Sequence, residues 1–394
     1  MADRPVFPAP GAPKPLLHKN VSNNERLKLL PVRLQGAARL LVPGPLVVGL
    51  SGGLDSCALL HLLCCVIDRR KNPIHPCYID HGIRPDPPEA RAGALPEYCR
   101  SLGLELQIYR VRDGWLRREA TRRGLSLEDL ARSERYRRLQ HYLYNLCGLY
   151  NLRGATESRT ERVPEALAGA IVLAHHGDDQ AENFFMNLGR GAGPGALAGM
   201  REWLRRPVCD RMLSLWRPLL SEGLRCGRRD LQNWAELHGL PHWEDSGNFD
   251  QVTLRNFYRW QVVPQLKRLL PGILQGVRRS QQHLALLEDW LEEERSLLRS
   301  QLCVTTGPEG GLCAEWSGSF SALGKPLQVE LCFLLFDELR CGEQRRKRLP
   351  LDFANELLRQ WQSHCRQGRK KPFGLRAHGC LWQLSPKGIR ACTI

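Results

Sequence analysis

Leu46-Val47-Val48-Gly49-Leu50-Ser51-Gly52-Gly53-Leu54-Asp55-Ser56 is the stretch on which the reading of this chain turns. The β-forming residues Leu46 to Val48 open into Ser51-Gly52-Gly53-Leu54-Asp55-Ser56, and Cys57 to Leu63 is apolar enough for a buried helix. Strand, glycine turn and helix start make a phosphate-binding geometry. Glycine lets the backbone approach an anion, and the N–H groups of the first helical turn point at it, reinforced by the helix dipole. Ser51 and Ser56 add hydroxyl donors, and Asp55 could hold the magnesium that accompanies a nucleotide. The P-loop is excluded, because that motif ends in Gly-Lys-Ser/Thr and no lysine follows here.

Outward from this loop, strands are expected at Ile74–Asp80, Leu104–Tyr109 and Ala170–Ala174. Helices are expected at Asn24–Leu41, around Pro88–Leu102 and at Ser126–Leu149, with Ser126 as N-cap and Asp129 completing a capping-box-like start. Gly148–Pro164 is polar and reads as a surface loop. Strands alternating with helices at these lengths predict an α/β fold, a doubly wound parallel sheet with ligands at the strands' carboxyl ends. The glycine loop, the Asp80-His81 turn and the stretch after Ala174 all fall on that edge.

That stretch is the second chemical signal. His175-His176-Gly177-Asp178-Asp179-Gln180-Ala181-Glu182 sets two histidines and three carboxylates where a strand becomes a helix. They could ligand magnesium, orient a histidine or accept a proton from an amine. Taken singly, Asp178 reads as a helix cap and Glu182 as a solvated face. Zinc fits poorly without a nearby cysteine or third histidine.

Composition narrows the partners. The chain has 394 residues and a net charge of +16, an excess that a polyanion such as nucleic acid explains most simply. No apolar run is long enough to cross a membrane and no lipidation signal is present, so no membrane partner is expected. The proline-rich start, Met1–Pro15, lacks an apolar core and reads as a flexible leader. The 15 cysteines are scattered, odd in number and form no C-x-x-C pair, which predicts reduced thiols. Several, such as Cys57 and Cys332, are expected to act as small hydrophobes.

With SGGLDS in hand, the chain resembles the PP-loop ATP pyrophosphatase superfamily. DHGIR (Asp80–Arg84), ARSERY (Ala131–Tyr136), LAHHGDDQAEN (Leu173–Asn183), GRGAGPGALAGM (Gly189–Met200), RPLL (Arg217–Leu220), EDSGN (Glu244–Asn248) and RNFYR (Arg255–Arg259) follow in order. Together they resemble the blocks of the bacterial tRNA(Ile)-lysidine synthetase family over about Leu46–Pro264. The resemblance implies an adenine nucleotide α-hydrolase-like PP-loop domain followed by a mainly helical C-terminal region. It divides the chain into a leader (1–22), an ATP-binding catalytic domain (23–221), a linker helix with a helical tRNA-binding subdomain (222–302) and a C-terminal α/β tRNA-binding region (303–394).

The implied chemistry is a ligation at the wobble cytidine of tRNA(Ile) with a CAU anticodon. ATP first adenylates the C2 oxygen; free L-lysine then displaces AMP, giving lysidine and moving codon recognition from AUG to AUA. ATP and Mg2+ are the implied cofactors and the cytoplasm the implied location; a homodimer is left open. Ser51, Gly52, Gly53, Leu54, Asp55 and Ser56 would cradle the phosphates, Asp55 and Asp179 would hold magnesium, and Arg132 or Arg135 would offset phosphate charge. His176, Asp178 and Glu182 are the candidates to hold the lysine ammonium and take its proton, and the choice among them stays open. Asn183 and Tyr258 stand where the family has threonine and a branched aliphatic. Two rivals are weighed: a tRNA-thiolating PP-loop enzyme, disfavoured by the missing C-x-x-C, and an inactive basic RNA-binding protein, disfavoured by the intact Asp55, Asp178 and Asp179.

Beyond Arg217, a linker helix is expected at Glu222–His238 carrying Arg225, Arg228 and Arg229. Arg255-Asn256-Phe257-Tyr258-Arg259 reads as arginine–aromatic pairing suited to single-stranded RNA. The glycine-rich Gly189–Met200 segment reads as a lid or an inert connector. Helices are expected at Gln281–Leu302, Ser321–Arg340 and Asp352–His364, with a small hairpin in Lys371–Ile394.

Overall fold

A computed structural model describes residues 21–83, 92–147, 169–208, 211–224, 226–242, 254–306, 311–339, 349–368 and 371–393. The expected leader, Arg84, the start of the Pro88 helix, the Gly148–Pro164 loop, Arg225 and the Glu244–Asn248 block lie outside the described residues. Two compact units emerge, one from residues 1–192 and 199–279 and the other from 193–198 and 280–394.

The first unit is built on β1 (Leu46–Leu50), β2 (Ile74–Asp80), β3 (Gln107–Arg110), β4 (Ala170–Val172), β5 (Trp203–Val208) and β6 (Arg211–Trp216), in the order β3-β2-β1-β4-β6-β5. All pairings are parallel except β5 with β6. Alternation along β1 sorts its side chains. Leu46, Val48 and Leu50 face a core shared with α1 (Val21–Ala38) and α2 (Leu54–Val66), while Val47 faces α5 (Leu127–Leu146) through Leu139 and Leu143. Helices therefore cover both faces, as a parallel sheet requires. α3 (Leu95–Ser101) and α4 (Trp115–Arg123) complete the β2–β3–β4 crossovers, and α6 (Gly177–Gly189) follows β4.

α2 forms because Cys57, Ala58, Leu59, Leu60, Leu62 and Leu63 all find apolar surroundings. Ser126 caps α5 as expected, its Oγ accepting from the Asp129 N–H at 3.0 Å. Sequence reading missed the β5–β6 hairpin, whose strands are short and interrupted by arginines and Pro207, yet Trp203 and Trp216 stack at 5.4 Å across it. It also missed α4, whose apolar side amounts to Leu116 and Ala120 among arginines. Downstream lie α8 (Arg228–His238), α9 (Leu254–Phe257), a π turn (Tyr258–Val262) and α10 (Val263–Leu269). The linker helix thus starts at Arg228 rather than Glu222.

The second unit includes the short helix α7 (Pro194–Leu197), where Gly195 lies against Glu288, and most of α11 (Ile273–Ser300). α12 (Lys325–Glu338) and α13 (Leu351–Arg366) pack on an antiparallel sheet ordered β7-β8-β11-β10-β9. Its strands are β7 (Leu302–Thr306), β8 (Leu312–Trp316), β9 (Phe373–Ala377), β10 (Cys380–Ser385) and β11 (Gly388–Thr393). The expected C-terminal hairpin is therefore three strands of a larger sheet. Cys313 and Cys392 stand opposite each other on β8 and β11 and form a disulfide, against the expectation of reduced thiols throughout. Buried Cys57 and Cys332 do behave as small hydrophobes, burial pushing both thiols up to about 12. Among the described residues no helix is long and apolar enough to cross a membrane.

Trp216 is fully buried, so Trp216→Ala should cost about 3–5 kcal/mol of stability by chemical denaturation. A loss below 1 kcal/mol would show that the hairpin is not part of the core.

Candidate active site

The chain runs outward through β1, β2 and β3 and then returns to β4 on the other side of β1. Strand order therefore reverses between β1 and β4, the place where open α/β sheets form a ligand crevice. Two helix N-termini meet there, α2 leaving β1 and α6 leaving β4.

At the first, Gly52 adopts φ 86°, a left-handed conformation that glycine takes without strain. The Ser51 N–H donates to Ser56 Oγ at 3.2 Å, and Ser56 Oγ donates to the Gly53 carbonyl at 2.9 Å. Ser51 Oγ and Ser56 Oγ lie 3.2 Å apart. These bonds hold Ser51-Gly52-Gly53-Leu54-Asp55-Ser56 as a closed turn over the start of α2, where the Ser56 N–H makes the first bond, to the Gly53 carbonyl at 3.1 Å, and the Leu54 and Asp55 N–H groups precede it.

At the second, His176 is completely buried and surrounded by acids. Its Nε2 lies 3.5 Å from Asp55 Oδ2 and 3.6 Å from Asp179 Oδ2, and its Nδ1 lies 3.9 Å from Asp178 Oδ2. These are ion-pair separations rather than formed hydrogen bonds. Burial alone would lower its pKa, but Asp179, Asp55 and Asp178 outweigh burial and hold it up at about 9. At neutral pH His176 is an imidazolium bridging both helix starts.

Asp178, Asp179 and Glu182 are all buried, so neither a plain cap at Asp178 nor a solvated face at Glu182 describes them. The capping role falls to Asp179, whose Oδ2 accepts from the His176 N–H at 3.0 Å. Asp179 Oδ1 accepts from Arg255 Nη2 at 3.0 Å and Arg259 Nη2 at 3.1 Å. Glu182 accepts from Arg255 Nε at 3.2 Å and Arg259 Nε at 2.9 Å. Asp178 accepts from the Arg228 N–H at 2.9 Å and is ion-paired with Lys267 Nζ. This approach requires glycine at position 227, where a Cβ would lie 2.7 Å from Asp178 Oδ2. Against the penalty of burial, His176 and these cations hold both aspartates below the ordinary carboxylate value.

The structure thus brings together Ser51 to Ser56, His176, Asp178, Asp179 and Glu182. Arg132 and Arg135 project from α5, exposed; Arg132 lies within electrostatic reach of His175 and Arg135 of His81 and Arg255. Sequence reasoning missed Lys267, which gives no local signal, and misassigned Arg255 and Arg259, whose guanidiniums turn inward onto Asp179 and Glu182 instead of being free for RNA. Arg228 likewise reaches Asp55, Nη1 to Oδ2 at 3.6 Å.

Comparison with known proteins places similarity over this unit. Residues 33–149 and 155–266 match the family described as PP-loop domain. The chain is 34% identical over 250 residues to a tRNA(Ile)-lysidine synthase of Neisseria gonorrhoeae, covering 61% of this chain and 46% of that protein. It is 34% identical over 270 residues to one of Pseudomonas syringae pv. tomato, covering 67% and 51%. The chain spans about half the length of these relatives. Among solved structures, a U34-tRNA thiolase of Methanococcus maripaludis with its [4Fe-4S] cluster matches with TM-score 0.48 and 16% identity, over 66% of this chain and 79% of that one.

Two outcomes test the charge network. Arg255→Ala with Arg259→Ala leaves buried carboxylates uncompensated and should cost about 3–5 kcal/mol in urea denaturation, partly recovered by adding Glu182→Gln; an unchanged midpoint would refute the pairing. Because His176 is raised from its ordinary 6.5 to about 9, its stabilisation is complete below about pH 6.5 and lost as pH rises through about 9. The metal-free protein should therefore lose thermal stability across that window, and His176→Gln should flatten the decline. Identical pH profiles for the two proteins would contradict the assignment.

Proposed function

The chain belongs to the PP-loop family, and from that premise we propose that it joins free lysine to the wobble cytidine of an isoleucine tRNA with a CAU anticodon. One observation carries the reading: a glycine-turn phosphate cradle and a buried acidic cluster stand on adjacent parallel strands, with Asp55 and His176 3.5 Å apart between them. A cradle alone suits any adenylation; acids beside it suit a cationic second substrate. The relatives named tRNA(Ile)-lysidine synthase support the substrate, and the net charge of +16 supports an RNA partner.

In the first step the C2 oxygen of cytidine attacks the α phosphorus of ATP, a P–O bond forms and the bond to pyrophosphate breaks. Gly52, Gly53 and Ser56 bind the departing phosphates, and Arg132 or Arg135 offsets charge on them. In the second step the lysine side-chain nitrogen bonds to C2, the C2–O bond breaks and AMP leaves. The amine, with an ordinary pKa of about 10.4, must lose a proton first. His176 is completely buried among Asp55, Asp178 and Asp179, with both ring nitrogens enclosed and neither presented to an incoming amine. That leaves Asp178 and Glu182. Glu182 is clasped by two guanidiniums, whereas Asp178 already carries an ammonium, that of Lys267. Asp178 is therefore assigned to hold the incoming lysine ammonium and to take its proton as the C2–N bond forms, with Lys267 moving aside.

Magnesium accompanies ATP in this reading, and Asp55 suits it, since Oδ1 is buried with no hydrogen-bond partner among the described residues. Both oxygens of Asp179 are engaged, and among the described residues no cluster of three or more His, Cys, Asp or Glu is arranged around a metal. One carboxylate completed by phosphate oxygens and water is an ordinary magnesium site, and the ion would neutralise phosphate charge. A cytoplasmic location follows from the substrate.

Incubation with labelled lysine, ATP and an unmodified CAU-anticodon transcript should give labelled tRNA, AMP and pyrophosphate. Asp55→Ala should abolish pyrophosphate release while leaving tRNA affinity within about twofold, since one carboxylate is not a phosphate contact. No nucleotide consumption by the wild-type protein with all substrates present would end the proposal.

A further inference from the structure

α4 has no role in the chemistry above. Its Leu116 and Ala120 pack against Val111, Leu130 and Ala131, fixing the helix to α5 just past the carboxyl end of β3. It therefore stands on the same sheet edge as the phosphate cradle. The outward side is basic. Arg112, in the loop just before the helix, and Arg117 and Arg118 on it are exposed, and among the described residues no carboxylate pairs with them. Arg122 and Arg123, one turn on, are clasped by Glu119, which shows how this chain pairs an arginine when it is a surface ornament. On α5, Arg132 and Arg135 are likewise exposed, Arg132 lying over the Tyr136 ring at 5.8 Å and Arg135 within electrostatic reach of Glu128.

Like charges gathered without counter-charge repel one another and weaken the folded state, so an external polyanion is the natural complement. A single nucleoside triphosphate is too small to need two helices' worth of guanidinium. A bilayer is a poor match, because the outward side of α4 offers it no apolar residue to bury. Arginine is the side chain best shaped for phosphate.

We propose that Arg112, Arg117 and Arg118, beside the Arg132 and Arg135 already assigned to the ATP phosphates, form a docking surface for the phosphate backbone of the RNA whose base enters the crevice between α2 and α6. The surface positions the strand and reads no base. This inference rests on the RNA-modifying reading above.

The test is equilibrium binding of the unmodified transcript to the full chain, measured across potassium chloride concentrations. Arg112→Gln, Arg117→Gln and Arg118→Gln together should weaken binding about tenfold or more at moderate salt and lower the slope of log K against log salt by about 2. A charge-matched control, Arg69→Gln, Arg70→Gln and Lys71→Gln, lies in the loop entering β2 at the opposite sheet edge and should bind within about twofold of wild type. Wild-type affinity and slope in the first triple variant, or an equal loss in the control, would overturn the surface. The two readings fail separately: RNA binding that depends on α4 without any lysine incorporation would remove the proposed reaction and keep the surface. Full lysine incorporation with RNA binding indifferent to α4 would do the reverse.

Discussion

Three residue pairs, Leu46 with Ala170, Val47 with Ile171 and Val48 with Val172, align β1 with β4, and the site depends on this short ladder. Because the strands are parallel and adjacent, the helices that follow them begin side by side at one edge. Two helix N-termini then add their partial positive charges over one crevice, which favours both a bound phosphate and the ionised state of Asp178 and Asp179. His176 ties the two together, since its ring lies between Asp55 on α2 and Asp179 on α6.

Three buried carboxylates, Asp178, Asp179 and Glu182, with Asp55 half-buried beside them, would be untenable alone. The segment from Cys226 to Leu269 resolves the difficulty by delivering Arg228, Arg255, Arg259 and Lys267 to them. Arg228 begins α8, and Arg255, Arg259 and Lys267 come from the continuous run of α9, the π turn and α10. Such a turn is uncommon within helices and recurs at functional sites. Arg255 and Arg259, four positions apart, share one helix face and meet the same two acids. The acidic cluster and the downstream helices are therefore energetically coupled, although the chain separates them by some 73 to 89 positions.

The sheet and the cradle were legible because their signals are local. A β-rich run, a Gly-Gly turn and a block of buried leucines each report their own conformation, and Ser126 with Asp129 announced its helix start. What escaped was non-local. Arg255 and Arg259 look the same in sequence whether they face RNA or Glu182. Lys267 is one lysine in a basic helix, and Cys313 and Cys392 are paired only by strand register. α4 escaped for another reason: in a nine-residue, arginine-dense helix only Leu116 and Ala120 are buried, too few to mark an apolar stripe. Its conformation is set by the partner helix rather than by its own residues.

The Cys313–Cys392 bond has a topological consequence. It closes a covalent circle of separation 79 that contains α12, α13 and β9 to β11 and leaves α7, α11 and β7 outside it. A chain so closed explores far fewer conformations when denatured, which for a circle of this size is worth about 4.5 kcal/mol in favour of the native state by chain entropy alone. In a reducing compartment that advantage vanishes, and the last strand is retained by its backbone ladder and side-chain packing alone. The ambient thiol balance would then set how readily this unit comes apart.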